Sequence, residues 1–115
     1  MAEGFARHLG GATIEASSSG LAPTRDVAWE TVQTMRAKGV DISSQIPKKF
    51  DSYGTADFDL IVNLSGFDLP GTPAATVEDW PVRDPYGESA AVYTAAATDI
   101  ETRVLALLDR FRSAS

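Results

Sequence analysis

Three groups of residues in this sequence have types and spacings that could support chemistry. Asp84-Pro85-Tyr86 places a carboxylate in a loop just before a long helical segment, where it could exchange a proton with a ligand. His8 is the single histidine, and 17–20 (Ser-Ser-Ser-Gly) lies between a strand candidate and a helix, where ligand-binding loops occur. Each also fits a purely structural role, because Asp-Pro starts turns, serines cap helices and His8 lacks a ligand-spaced partner. Spacing alone therefore names no reaction.

Composition excludes several classes of function. The 115 residues contain no cysteine, so disulfides, thiolate metal sites and a cysteine nucleophile are absent from this chain. The formal net charge is −6 and the basic residues are scattered, which argues against nucleic-acid binding. No apolar run approaches the roughly 18 residues of a membrane span, and residues 1–7 lack the apolar core of a signal peptide. We therefore expect a soluble cytoplasmic protein.

The apolar pattern predicts helices and strands in alternation. Helices are expected over 2–9, from an N-cap at Thr24 to Gly39, and over 89–112; strands are expected over 12–16, 58–64 and 76–80. This order is typical of one α/β domain, residues 1–115, with helices on both faces of a short parallel sheet. The last helix is expected to bury one apolar stripe, formed by Tyr93, Ala97, Ile100, Val104, Leu107, Leu108 and Phe111. We expect Trp29, Trp80 and the phenylalanines in the core or at its rim.

Read together, these segments resemble the low-molecular-weight protein-tyrosine phosphatases and their relatives, the thioredoxin-coupled arsenate reductases. The resemblance begins with Met-Ala-Glu-Gly-Phe-Ala-Arg at 1–7, which is similar to the first helix of that family. It continues in the family's order through 16–20, 39–43, 58–62, Asp84-Pro85-Tyr86 and the last helix. It thus covers essentially the whole chain, although no single motif carries it.

The resemblance implies a fold, a chemistry and a set of site residues. The implied fold is a three-layer α/β/α sandwich of the phosphotyrosine-phosphatase-I type, with a short parallel sheet. The implied chemistry is cysteine-dependent hydrolysis of phosphate monoesters or reduction of arsenate, without a metal or cofactor. Asp84 matches the general acid, and Ser18, Ser19 and Tyr86 are weaker candidates for residues near the site.

The chain also departs from the family pattern. The family's first helix follows a central strand and a Cys-x5-Arg-Ser loop that binds the phosphoryl group, and this sequence opens at Met1 inside that helix. Two interpretations follow: an N-terminally truncated or mis-started member, or a catalytically silent relative with a binding or assembly role. Translating the DNA upstream of Met1 distinguishes them. A metal-dependent hydrolase using Asp84 is a third interpretation, and it lacks a cluster of ligands.

The departure has consequences for assembly and binding. Without the central strand, 12–16 and 58–64 would face a gap on the order of 9.5 Å. Because unpaired strand edges are unfavourable, we expect either direct pairing of these strands or a second chain in the gap, most simply as a homodimer. The helix that starts near Ala2 should bind phosphate, sulfate or a phosphotyrosine-like anion weakly at its N-terminus. Catalysis by this chain is not expected, because the nucleophile is absent.

Overall fold

The computed structural model describes residues 1–11, 14–20, 28–45, 47–51, 58–71, 73, 75–82 and 84–114. These ranges contain three helices and two strands. The helices are α1 (Ala2–Gly10), α2 (Trp29–Ala37) and α3 (Ala90–Ala114), and the strands are β1 (Leu60–Asn63) and β2 (Thr76–Asp79). All five lie where the sequence pattern predicts them, although both strands are shorter than expected. The predicted N-cap of α2, Thr24, lies outside the described residues, and the helix is preceded by Ala28.

The two strands form a parallel pair. Leu60 pairs with Thr76 and Asn63 pairs with Asp79, so the carboxyl ends of β1 and β2 meet at one edge of the sheet. That edge holds the loops that follow the strands, which is where α/β proteins place their ligands. The sheet therefore positions the segment after β2, which carries Asp84, beside the loop after β1.

The strand predicted over 12–16 is wrong for its described part. Ala12 and Thr13 lie outside the described residues, and 14–16 is not in a strand. Within the described ranges β1 pairs only with β2, so the direct pairing expected between 12–16 and 58–64 is absent. Without a ladder partner, this segment is ordered by side chains: Ile14 packs against the core, and Arg7 Nε donates to the Ala16 carbonyl at 3.1 Å.

A tight contact holds α1 against the segment that follows α2. Phe5 of α1 is completely buried, and a Cβ built on Gly4 would lie 2.6 Å from Ile42 Cγ2. Only glycine permits this approach, because a methyl group at Gly4 would overlap the Ile42 side chain. Gly10 and Gly11 end the helix, as the sequence indicates, with a positive φ of 51° at Gly11.

The core lies between α3 and the two shorter helices, with side chains from the sheet contributing. Its largest completely buried side chains are Phe5, Met35, Ile42 and Leu108. The predicted apolar stripe of α3 is confirmed. Five of its seven residues are buried (Tyr93, Ala97, Ile100, Val104 and Leu108), and Leu107 and Phe111 are half-buried.

The aromatic expectation holds only in part. Trp80 is buried as expected, whereas Trp29 is 61% exposed and Phe67 is 74% exposed. The pattern could not separate them, because Trp29 and Trp80 lie at the ends of elements and Phe67 lies in a loop, where local spacing does not define burial. Among the described residues, no helix is both long enough and apolar enough to cross a membrane.

Candidate functional site

Asp84 lies on the loop that connects β2 to α3, and its side chain is exposed. The Tyr86 backbone N–H donates to Asp84 Oδ1 at 3.0 Å, and the Glu88 N–H donates to the Pro85 carbonyl at 2.9 Å. The first bond closes an Asx turn, and Gly87, with φ of 77°, permits the second. A turn that holds its own carboxylate fixes the direction of the side chain. This geometry suits a residue that acts on a ligand in front of the loop.

Tyr93 lies behind this loop, in α3, and is 2% exposed. Burial raises the pKa of its hydroxyl, and the negative charges of Glu30 and Asp84 raise it further. The hydroxyl therefore stays protonated at neutral pH. A hydrogen bond with the Gly87 backbone, in the same loop as Asp84, acts in the opposite direction and lowers the pKa of Tyr93. Helical spacing alone predicts Tyr93 only as a member of the apolar stripe of α3.

Glu3 is a buried carboxylate that the sequence analysis did not single out. It lies in the first turn of α1 and is 8% exposed. Ser18 Oγ donates to Glu3 Oε1 at 2.6 Å, and Arg7 Nε lies 3.2 Å from Glu3 Oε2. Ser18, a candidate from the sequence, is therefore held against α1. An acidic residue in the first turn of a helix was the available signal, because it complements the helix dipole.

The serine-rich segment is also held from a second direction. Lys48 Nζ donates to Ser17 Oγ at 3.0 Å. The Gly20 N–H donates to the Lys48 carbonyl at 2.7 Å, and the Phe50 N–H donates to the Gly20 carbonyl at 2.8 Å. Ser19 is exposed between these contacts. The segment 17–20 is thus hydrogen-bonded to α1 on one side and to the 48–50 segment on the other.

The N-terminus of α1 has no side-chain hydrogen bond that caps it. The first backbone N–H groups of a helix have no partner within the helix, and they carry partial positive charge. Such an end can accept an anion. His8 lies further along the same helix, exposed, and lines an open cavity of about 270 Å³ with Arg7 and Asp41.

A second polar group occupies the carboxyl edge of the sheet, and we call Asn63, Ser65, Phe67 and Asp79 the Asn63 cluster. Asn63 Nδ2 donates to the Phe67 carbonyl at 2.8 Å and to Asp79 Oδ1 at 2.9 Å. Asn63 Oδ1 accepts from the Ser65 N–H at 3.0 Å and from Ser65 Oγ at 2.7 Å. Within the described ranges, no three histidine, aspartate or glutamate side chains are grouped to hold a metal ion.

The sequence candidates fall into two groups. Asp84 and Tyr86 share the turn after β2, and Tyr86 is 75% exposed there. Ser18 and Ser19 lie on the segment that is held against α1. The fold therefore defines a small α/β protein with a carboxylate-bearing loop at the carboxyl edge of a parallel sheet, together with a serine segment at its first helix.

Comparison with known proteins identifies the family. Residues 1–69 match the sequence profile described as low molecular weight phosphotyrosine protein phosphatase. The glutaredoxin arsenate reductase of Synechocystis sp. is 32% identical over 108 residues, which cover 90% of this chain and 82% of that protein. The chain therefore belongs to the low molecular weight phosphotyrosine protein phosphatase family.

Solved structures agree with this assignment. An arsenate reductase in the phosphate binding state is 31% identical and has a TM-score of 0.84, with 96% of this chain and 86% of that chain covered. Wzb of Vibrio vulnificus, in complex with benzylphosphonate, is 17% identical, and its TM-score of 0.78 over 95% of this chain and 87% of that chain shows the same fold. The predicted α/β fold class of the phosphatase family is confirmed.

Proposed function

We propose that this chain is a phosphatase-type domain that binds an oxyanion and performs no cysteine-dependent turnover by itself. The observation that carries the proposal is a family scaffold whose 115 residues contain no cysteine. The resemblance attributes both phosphate ester hydrolysis and arsenate reduction to a cysteine nucleophile. Without a nucleophile neither reaction has its first covalent step, although the rest of the site can still bind a ligand.

Anion binding is supported by the start of α1 and by a relative. The helix begins without a side-chain cap, so its first N–H groups can donate to phosphate or sulfate. A related arsenate reductase is known in a phosphate binding state. We infer weak binding of phosphate, sulfate or a phosphotyrosine-like anion at this end. The neighbouring Glu3 carboxylate, held by Ser18 and Arg7, limits the affinity because it already places negative charge in the first turn.

Asp84 is proposed as the general acid of this site. Its loop follows β2, its side chain is exposed, and the Tyr86 N–H fixes its direction. Protonated Asp84 would donate to the leaving oxygen of a bound ester if a nucleophile were supplied. Tyr86 and Ser19 are proposed as neighbours of the ligand because both are exposed. Ser18 is also exposed, but its hydroxyl donates to Glu3, so it would hold the serine segment against α1.

The experiment has a catalytic arm and a binding arm. We expect no hydrolysis of an aryl phosphate and no reduction of arsenate by the purified chain. Turnover that is abolished by Asp84→Ala would overturn the proposal. In the binding arm, inorganic phosphate is titrated while backbone amide shifts are followed, and we expect shifts in the first turn of α1. Unchanged amide shifts in this turn up to high millimolar phosphate would contradict the proposed anion site.

A non-catalytic role in assembly is the second candidate. Within the described residues the sheet has two strands, and β1 is rich in apolar residues that are only half-buried. A second copy that covers this edge would give a homodimer, as the sequence analysis expects. Phosphate-dependent amide shifts favour the first candidate, and concentration-dependent association without such shifts favours the second. The cytoplasmic location stays a prediction.

A further inference from the structure

Asn63 is a buried polar residue, and hydrogen bonds set the orientation of its side-chain amide. It lies at the carboxyl end of β1, and its side chain is 7% exposed. Nδ2 faces two acceptors, the Phe67 carbonyl and the Asp79 carboxylate, while Oδ1 faces two donors on Ser65. A flipped amide would place oxygen against both acceptors. The observed orientation therefore satisfies the amide and the alternative does not.

These bonds connect the two chain segments that leave the sheet. Ser65 and Phe67 belong to the loop after β1, and the Phe67 N–H also donates to Ser65 Oγ at 3.1 Å. Asp79 ends β2, and the next residue, Trp80, donates its N–H to the Asn63 carbonyl at 2.9 Å. Asn63 thus contacts the segment after β1 and the segment after β2, through its side chain and through its backbone.

The segment after β2 leads to Asp84. The segment that connects β2 to Asp84 begins at Asp79 and Trp80, and Trp80 is buried. A residue that fixes this beginning restricts the positions that the Asp84 turn can take. Asn63 is the buried member of this network, and a shift that broke its bonds would leave a buried donor or acceptor of the amide unpaired, so the bonds restrict the geometry.

We propose that Asn63 is a positioning residue of the oxyanion site: it ties the loop after β1 to the exit of β2 and thereby places the Asp84 turn. The proposal rests on the proposed function, since it takes Asp84 as part of that site. If Asn63 instead served only to end β1, its substitution would alter the positions of Ser65 and Phe67 and would leave the position of the Asp84 turn unchanged.

A charge exchange between two members of the cluster tests this role. Asn63→Asp sets two carboxylates against each other where a 2.9 Å hydrogen bond now lies. The pKa of one carboxyl should rise by about one unit or more, so the tie should be broken at neutral pH and restored in acid, when one carboxyl can donate. The double variant Asn63→Asp/Asp79→Asn reverses donor and acceptor between residues 63 and 79 only, and it keeps the net charge of −6. Asp79→Asn alone keeps the acceptor and is the matched control.

The readout is amide hydrogen exchange, with a phosphate titration of each variant. In Asn63→Asp at neutral pH, exchange of the Trp80 and Tyr86 amides should accelerate about fivefold or more, the effect of one lost hydrogen bond. The double variant restores the bond between residues 63 and 79 but leaves the Phe67 carbonyl without its donor. Exchange at Tyr86 should therefore return toward that of the original protein, while Ser65 and Phe67 stay accelerated. The control should stay within about twofold of the original protein, and the ratio of the exchange rates of Asn63→Asp and the original protein, compared at the same pH, should fall toward one in acid. Amides in the middle of α3 should not change.

Two results would overturn the proposal. Exchange at Tyr86 that is unchanged in Asn63→Asp, while Ser65 and Phe67 accelerate, would reduce Asn63 to a strand-end residue. A double variant in which Tyr86 exchanges as fast as in Asn63→Asp would show that the pairing of residues 63 and 79 is not what positions the turn. Where Asn63→Asp is too unstable to study, unchanged exchange at Tyr86 in Asp79→Ala, which removes the pairing and keeps the bond to Phe67, would show the same. The phosphate titration of the original protein is independent of both: a lack of response there removes the proposed function, and the exchange at Tyr86 still decides the role of Asn63.

Discussion

Glu78 of β2 and Arg110 of α3 are joined by two hydrogen bonds, at 3.0 Å from Nη1 to Oε1 and at 2.8 Å from Nη2 to Oε2. The Trp80 indole N–H donates to the same Oε1 at 3.0 Å. This bidentate contact connects β2 to the last helix, and it fixes the end of β2 that leads to the Asp84 loop. Hydrogen bonds from Arg110, and then from Trp80, lower the pKa of Glu78 to about 2.

The low pKa of Glu78 predicts a pH-dependent stability. Since the folded pKa of about 2 is below the ordinary value of 4.5, the contribution is complete above about pH 4.5 and is lost as the pH falls toward 2. At pH 7 we expect Glu78→Gln to lower the Tm by up to about 5 °C, a modest effect because the pair is largely exposed. Thermal unfolding followed by circular dichroism at several pH values measures the difference.

The matched control for Glu78 is Asp109→Asn, which removes an exposed carboxylate next to Arg110. Its Tm should stay close to that of the original protein at each pH. An equal loss of Tm in Glu78→Gln at pH 7 and at about pH 2 would contradict the assignment of the effect to the ionised carboxylate.

Gly4→Ala should destabilise the contact between α1 and Ile42. The new methyl group would lie 2.6 Å from Ile42 Cγ2 and 3.1 Å from Met35 Cε, and overpacking of this kind costs about 1–3 kcal/mol. Chemical denaturation measures the free energy of unfolding. Ile42→Leu removes the branched methyl at the closest contact, so Gly4→Ala should cost less in that background than alone. The same cost in both backgrounds would contradict the steric account.

The role of Asp84 can be tested by supplying the missing chemistry. Joining the strand and Cys-x5-Arg-Ser segment of a relative to Met1 should give phosphatase activity if the remaining site is in place. In that extended protein, Asp84→Asn should slow hydrolysis of an aryl phosphate with a poor leaving group by about 100-fold or more. A leaving group that needs no proton should be affected much less. If the extended protein is active and Asp84→Asn changes the hydrolysis rate of neither substrate, Asp84 has only a structural role in its turn.

Association through the sheet edge should depend on concentration and salt. With a net charge of −6 on each copy, like charges oppose a dimer, so added salt should strengthen association. Light scattering from about 1 to about 200 μM protein, at low and moderate salt, measures this, because mass action favours a dimer at high concentration. A constant monomer mass under all of these conditions would rule out the homodimer.

Local patterns were sufficient wherever one element decides the outcome. The apolar stripe that contains Ala97 and Val104 predicts the buried face of α3 because helical spacing alone places these residues together. The apolar run at 58–64 predicts β1, and the turn at Asp84 follows from Asp-Pro chemistry. The family follows from the order of such segments along the whole chain.

The tertiary structure decided what depends on partners distant in sequence. Glu3 is a buried carboxylate because Ser18 and Arg7 satisfy it, and neither bond can be read from its own helix alone. The 14–16 segment has strand-like composition, yet it forms no strand among the described residues, because a strand exists only where a neighbour supplies the ladder. Asn63 reads as one polar residue in an apolar strand, and its role appears only where the ends of β1 and β2 meet. Sequence spacing thus determined faces and turns, and packing determined which polar groups found partners, since burial makes an unsatisfied group costly.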